Sequence, residues 1–142
     1  MVRVIRGLFG SAALVWLVAV SVVAQTPAPP KAIPAEAKKM KAAFPSSPAA
    51  IEAAKPLFAK YCRFCHGNTG AGDSTMAPKN MKPANLTDDK WTHGSSEGEI
   101  FWLIQNGSPP EYQMKGLKGK LSDTDTWNLV HFVRSLGGVP KP

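Results

Sequence analysis

The chain has few residues that could hold a metal or a crosslink: two cysteines and three histidines among 142 residues. A structural zinc site takes four nitrogen or sulfur ligands. Beyond Cys62, Cys65 and His66 only His93 and His131 remain, and they lack the paired spacing of a zinc ribbon. A disulfide between Cys62 and Cys65 would close a very small loop and stabilise little. No strand-like alternation of useful length and no internal repeat is present, so the βαβ surround of a thioredoxin-like pair is missing. The net charge of +7 is also less than it looks. Arg3, Arg6, Lys31, Lys38, Lys39 and Lys41 precede Ser47. From there on, eleven Lys and Arg face nine Asp and Glu, leaving about +2. With no broad basic face, nucleic-acid binding is excluded.

What is present is Cys62-Arg63-Phe64-Cys65-His66, the C-x-x-C-H attachment signal of a c-type haem. Near a helix end, positions i and i+3 are surface neighbours, so both thiols point to one side. Each can add across a haem vinyl group to give a thioether. His66, the next residue, can then place its imidazole under the iron as the proximal ligand.

Residues 1–24 read as a leader. Arg3 and Arg6 form a positive n-region, Leu8 to Val23 is uncharged and apolar, and Val22-Val23-Ala24 suits peptidase cleavage. The uncharged run from Gly7 is also long enough for an uncleaved membrane anchor. Either way the domain is expected outside the cytoplasm, in the periplasm and tethered to the membrane only if the leader stays. Residues 25–47 hold Pro27, Pro29, Pro30, Pro34 and Pro45, a density that favours extended, solvated chain. They are expected to form a flexible Pro/Lys-rich linker, with nothing obvious to bury a short helix at 35–44. The folded domain is expected at 48–138, with a tail at 139–142.

Within the domain the pattern is helical. Ala49, Ile51, Ala53, Ala54, Leu57, Phe58 and Tyr61 give one helix running into Cys62, with a bend at Pro56. Ser96-Glu97-Gly98-Glu99 is a capping box that opens a helix to Asn106, closed by Gly107. Ser122 and Asp125 cap a last helix through Leu136, stopped by Gly137-Gly138. The Gly/Pro-rich segments between them are long for a small domain, unless they wrap a flat apolar macrocycle. Trp91 and Trp102 are read as packing residues, and His93 and His131 as surface or cap residues.

The far face of the iron decides the chemistry: an open face admits gas or peroxide, and a thioether makes an electron carrier. Met76, Met81 and Met114 follow the motif. Met114 lies in the loop before the last helix, where few other apolar side chains compete for a core role. It is therefore the expected distal ligand.

The helix into Cys62-Arg63-Phe64-Cys65-His66-Gly67, the Gly/Pro loop, Met114 in its glycine-rich loop and the helix Leu121 to Leu136 together resemble the class I cytochromes c of bacteria. The resemblance implies an exported monohaem protein with a small all-α fold of three to four helices and long loops around one covalent haem c. It implies that Ala54 and Phe58 meet Phe132 where the first and last helices cross. It also implies that a proline carbonyl, of Pro78 or Pro83, accepts the far proton of His66. Lys115 follows Met114 where the family often has proline. Pro83-Ala84-Asn85-Leu86-Thr87-Asp88 with Trp91 is similar to carriers and to cytochrome subunits of dehydrogenases. The implied function is non-enzymatic single-electron transfer between respiratory or dehydrogenase partners, with Lys115, Lys118 and Lys120 as a basic rim for acidic redox proteins. A haem-based gas sensor or peroxidase, and a subunit of a larger dehydrogenase complex, stand as alternatives.

Overall fold

The computed structural model describes residues 32–137. The leader, residues 25–31 of the linker and the tail lie outside them. The order is a short 3-10 turn Ala37–Lys39, then α1 (Pro48–Tyr61), α2 (Arg63–His66), α3 (Glu97–Asn106) and α4 (Asp123–Ser135). Among the described residues there is no strand, only two isolated bridges, Gly107 with Lys115 and Lys118 with Leu121. The architecture is the all-α one expected.

Each long helix starts at a serine. Ser47 Oγ accepts from Ala50 N at 3.2 Å, and Pro48 takes the first helical position, where its missing N–H costs nothing. Ser96 and Glu99 form the reciprocal capping box of α3. Ser122 Oγ accepts from Asp125 N at 3.0 Å to open α4. Pro56 does not end α1, which continues to Tyr61. Glu52, whose carbonyl loses its partner, and Pro56 are both exposed, so that carbonyl faces solvent.

α1 and α4 cross at Ala54, which is fully buried, and the Phe58 and Phe132 rings meet with centroids 5.0 Å apart. Leu129 and Val130 of α4 are fully buried, worth about 1.5–3 kcal/mol each against exposure. α3 adds Ile100, Phe101 and Ile104, with Phe101 stacked on Trp127 at 4.2 Å. The buried amide of Gln105 donates to Thr126 Oγ1, whose hydroxyl donates to Ser122 O, so neither polar group is left unpaired.

The linker reading fails for residues 37–44. This segment is a strap laid along α3 and α4. Ala37 is completely buried, and Met40, Ala42 and Phe44 pack on the core while Lys41, Ala43 and Pro45 face outward. The alternation has the period of extended chain, so a search for helical spacing misses it. His131 anchors the strap instead of lying at the surface. It is 3% exposed, donates from Nε2 to Phe44 O at 3.1 Å, and meets the Phe44 ring edge-on at 5.5 Å. Glycine at position 98 permits the close approach. A Cβ there would strike the Ala37 carbonyl and lie 2.6 Å from Met40 Cβ.

Gly98→Ala should therefore lift the strap and lower unfolding free energy by about 1–3 kcal/mol. Chemical denaturation checks this. In a chain truncated to start at Ser46 the same substitution should cost much less, because the contact is already gone.

Candidate haem site

α1 ends at Tyr61, and Cys62 serves as the helical N-cap of the four-residue α2. Its carbonyl accepts from Cys65 N at 3.1 Å and from His66 N at 2.9 Å. That tight turn puts Cys62, Cys65 and His66 on the wall of one cavity of about 590 Å³. Gly67, at φ +79°, ends the turn where a Cβ would collide with the Asp73 carboxylate. The two sulfurs are not joined in a disulfide. Burial first, and the neighbouring Cys65 second, push the Cys62 thiol up to about 12.

The imidazole of His66 is oriented by the next loop. Nδ1 donates to Ala84 O at 3.0 Å. A carbonyl can only accept, so the proton is on Nδ1 and the Nε2 lone pair is left for a metal. Burial lowers the His66 pKa from its ordinary value, and the Ala84 bond partly opposes this. Neither Pro78 nor Pro83 makes the contact that was expected of a proline. The acceptor lies one residue beyond Pro83, whose own carbonyl sits where a Cβ on Gly72 would come within 2.5 Å. The register of the loop sets which carbonyl reaches the ring.

Met114 also lines the cavity, from the loop after α3. That loop caps α3. The last helical carbonyls need partners from outside the helix. Gly107 N, Leu117 N and Lys118 N donate to the carbonyls of Leu103, Ile104 and Gln105 at 2.8, 2.9 and 3.0 Å. Between these anchors Ser108 clamps Met114 on both sides, donating from its N to Met114 O at 3.0 Å and accepting at Oγ from Met114 N at 3.1 Å. Met81 reaches the cavity wall too, whereas Met76 is 53% exposed.

Phe58, Leu86, Ile100, Leu103 and Leu129 supply apolar wall. His93, read as a surface residue, is half-buried and lines the cavity, as do Trp91, Lys82 and Lys90. The Trp91 indole donates to Asp88 O at 3.1 Å, while Trp102 is half-buried away from the cavity wall. Two thiols and an imidazole lone pair on an apolar cavity, with thioethers at its wall, are a donor set that suits haem c.

Residues 49–133 match the family described as "Cytochrome C oxidase, cbb3-type, subunit III". The chain belongs to this family. The cytochrome is 35% identical over 94 residues, 66% of its length, to the cbb3-type oxidase subunit FixP of Sinorhizobium medicae. It is 30% identical over 102 residues, 69% of its length, to the subunit CcoP of Rubrivivax gelatinosus. It spans only 30% of either relative. Among solved structures it is similar to a chain of the reducing HAO-like protein complex of Kuenenia stuttgartiensis (TM-score 0.57, 28% identity, 66% of this chain and 46% of that one). It also shares the fold of cytochrome cL of Methylophaga aminisulfidivorans (TM-score 0.52, 24% identity, 63% and 55% covered). The class I cytochrome c fold and haem c as cofactor follow. These two relatives by sequence are oxidase subunits rather than dehydrogenase subunits.

Ser108 carried no signal of its own in the sequence. Replacing it by Ala removes one of the two bonds that fix Met114. The expected cost is about 1 kcal/mol of stability, with faster amide hydrogen exchange at Met114 and little change in α1.

Proposed function

We propose that this domain is a one-electron carrier. In this reading Cys62 and Cys65 hold a single haem c by thioethers, His66 Nε2 is the proximal ligand and Met114 is the distal one. The observation that carries it is the bond from His66 Nδ1 to Ala84, which frees Nε2 and aims the ring into the cavity bordered by both cysteines and Met114. Haem supplies the one-electron chemistry. The chain supplies position: His66 is held by a backbone acceptor, Met114 by Ser108 and the end of α3, and the apolar wall excludes water. Rigid ligands retained in both oxidation states keep reorganisation small. Met114 is favoured over Met81 because Met81 belongs to the same segment, three residues before Ala84, that supports the histidine. A filled distal position disfavours the sensor and peroxidase alternatives.

The leader-like sequence supports export to the periplasm, with a membrane tether if it is not cleaved. The relatives support a place among the redox proteins of a respiratory complex, as a subunit or as its mobile donor or acceptor. Lys115 stands at the cavity wall with Lys82 and Lys90, and Lys118 and Lys120 are exposed nearby in sequence. Together they form a positive rim that steers acidic partners.

The oxidised protein should show the weak far-red absorption band that the family resemblance implies for methionine on ferric haem. Met114→Ala should abolish it and let the reduced form bind carbon monoxide, while Met81→Ala should leave it in place. The reverse pattern would make Met81 the ligand, and rapid carbon monoxide binding by the parent would sink the carrier reading. Electron transfer with an acidic partner should slow as salt rises and the rim is screened.

A further inference from the structure

Among the described residues two large apolar side chains stand out in solvent: Phe64, 55% exposed, and Met76, 53% exposed. Their backbones are tied together although twelve positions apart. Ser74 Oγ donates to Phe64 O at 2.7 Å and accepts from Met76 N at 3.2 Å, so one hydroxyl joins the two backbones. Phe64 lies between the two haem-motif cysteines in the chain. Beside Ser74 runs an open groove of about 530 Å³, which shares Met81, Lys82 and Pro83 with the haem-sized cavity. The charge around it is mostly of one sign. Lys79 and Lys82 line it and are exposed, against the single carboxylate of Asp73, and Arg63, next to Phe64 in the chain, is exposed as well.

We propose that Phe64 and Met76 are the apolar centre of a docking patch for an acidic redox protein, with Arg63, Lys79 and Lys82 as its charged rim. The proposal rests on the electron-carrier reading and names the contact that reading leaves open. Phe, Met and Arg are the residue types enriched where protein partners touch. Exposed apolar surface costs solubility and is informative when it clusters. Charge and contact then divide the work. The lysines, including Lys115, Lys118 and Lys120, act at a distance on the rate of encounter. The two apolar side chains act only once water is expelled between surfaces. Anionic lipid is the poorer occupant, because insertion at a bilayer uses a sustained amphipathic helix and α2 has four residues.

The test uses the intact haem-loaded protein and reduced flavodoxin, a small acidic redox protein, as electron donor in stopped-flow mixing. The double variant Phe64→Gln/Met76→Gln should lower the second-order rate roughly tenfold at every ionic strength, with the reduction potential and far-red band unchanged. Met76→Gln alone, outside the haem motif, should lower it about twofold. Lys79→Glu/Lys82→Glu should slow the reaction at low salt and converge on the parent at high salt. Parent-like rates in both Met76→Gln and the double variant overturn the patch. Sedimentation with phosphatidylglycerol vesicles that depends on Phe64 and Met76, with no effect on the flavodoxin rate, overturns it in favour of a membrane surface. A parent without covalent haem overturns both this proposal and the carrier reading, whereas a loaded protein indifferent to the two side chains overturns the patch alone.

Discussion

The hydrogen bond from His66 to the Ala84 carbonyl joins two parts of the chain that share no regular structure. On one side is the four-residue turn that carries Cys65, with Cys62 as its cap; on the other is a loop rich in glycine and proline. A histidine on so short a turn has rotational freedom that packing alone does not remove. One backbone acceptor fixes both the plane of its ring and the nitrogen that keeps the proton. The loop must then be held in register, and backbone bonds do this. Gly72 N donates to His66 O at 2.8 Å and Leu86 N to Gly70 O at 2.7 Å. Gly70 and Gly72 both have positive φ, and a side chain at Gly72 would meet the Pro83 and Ala84 carbonyls. The glycines belong to the same device as the histidine, because they let the strand-like approach of Ala84 happen.

The helices answer a different need. The α1–α4 crossing, through Ala54, Phe58 and Phe132, has no polar partner to find and is governed by volume. α3 then sets the cavity against that pair, with Ile100 and Ile104 shared between core and wall. The strap from Ala37 to Phe44 closes the outer side of α3 and α4. Its burial means that a docked segment, not a free hinge, precedes the start of α1.

What could be read from the sequence was local. The helix starts at Ser96 and Ser122 were legible because a cap and its partner lie three residues apart. The haem motif was legible because its chemistry demands fixed spacing. The strap was not, because its partners Gly98 and His131 lie some sixty and ninety positions away and its apolar residues alternate. The acceptor of His66 was placed one or more residues off for a related reason. A carbonyl has no residue-type signature, so only the register of the loop tells which one arrives. His93 looked like a surface residue because a cavity wall made by loops leaves no periodic trace.

The position of Met114 follows from an obligation of α3 rather than from any property of methionine. A helix that ends in the interior must find partners for its last carbonyls. α3 finds them in Gly107, Leu117 and Lys118, the two ends of a single excursion of the chain. Pinning both ends leaves the intervening residues to bulge, and Ser108 decides how the bulge closes by bonding Met114 from both directions. Gly107 and Gly116 are needed where the two sides pass, since a Cβ at either would lie 2.5 Å from a backbone oxygen. The thioether is thus carried to the cavity by the same bonds that terminate the helix. Any change that frays the end of α3 should be felt at Met114 before it is felt in the core, which couples the Met114 wall of the cavity to helix stability and leaves the His66 wall to its own loop.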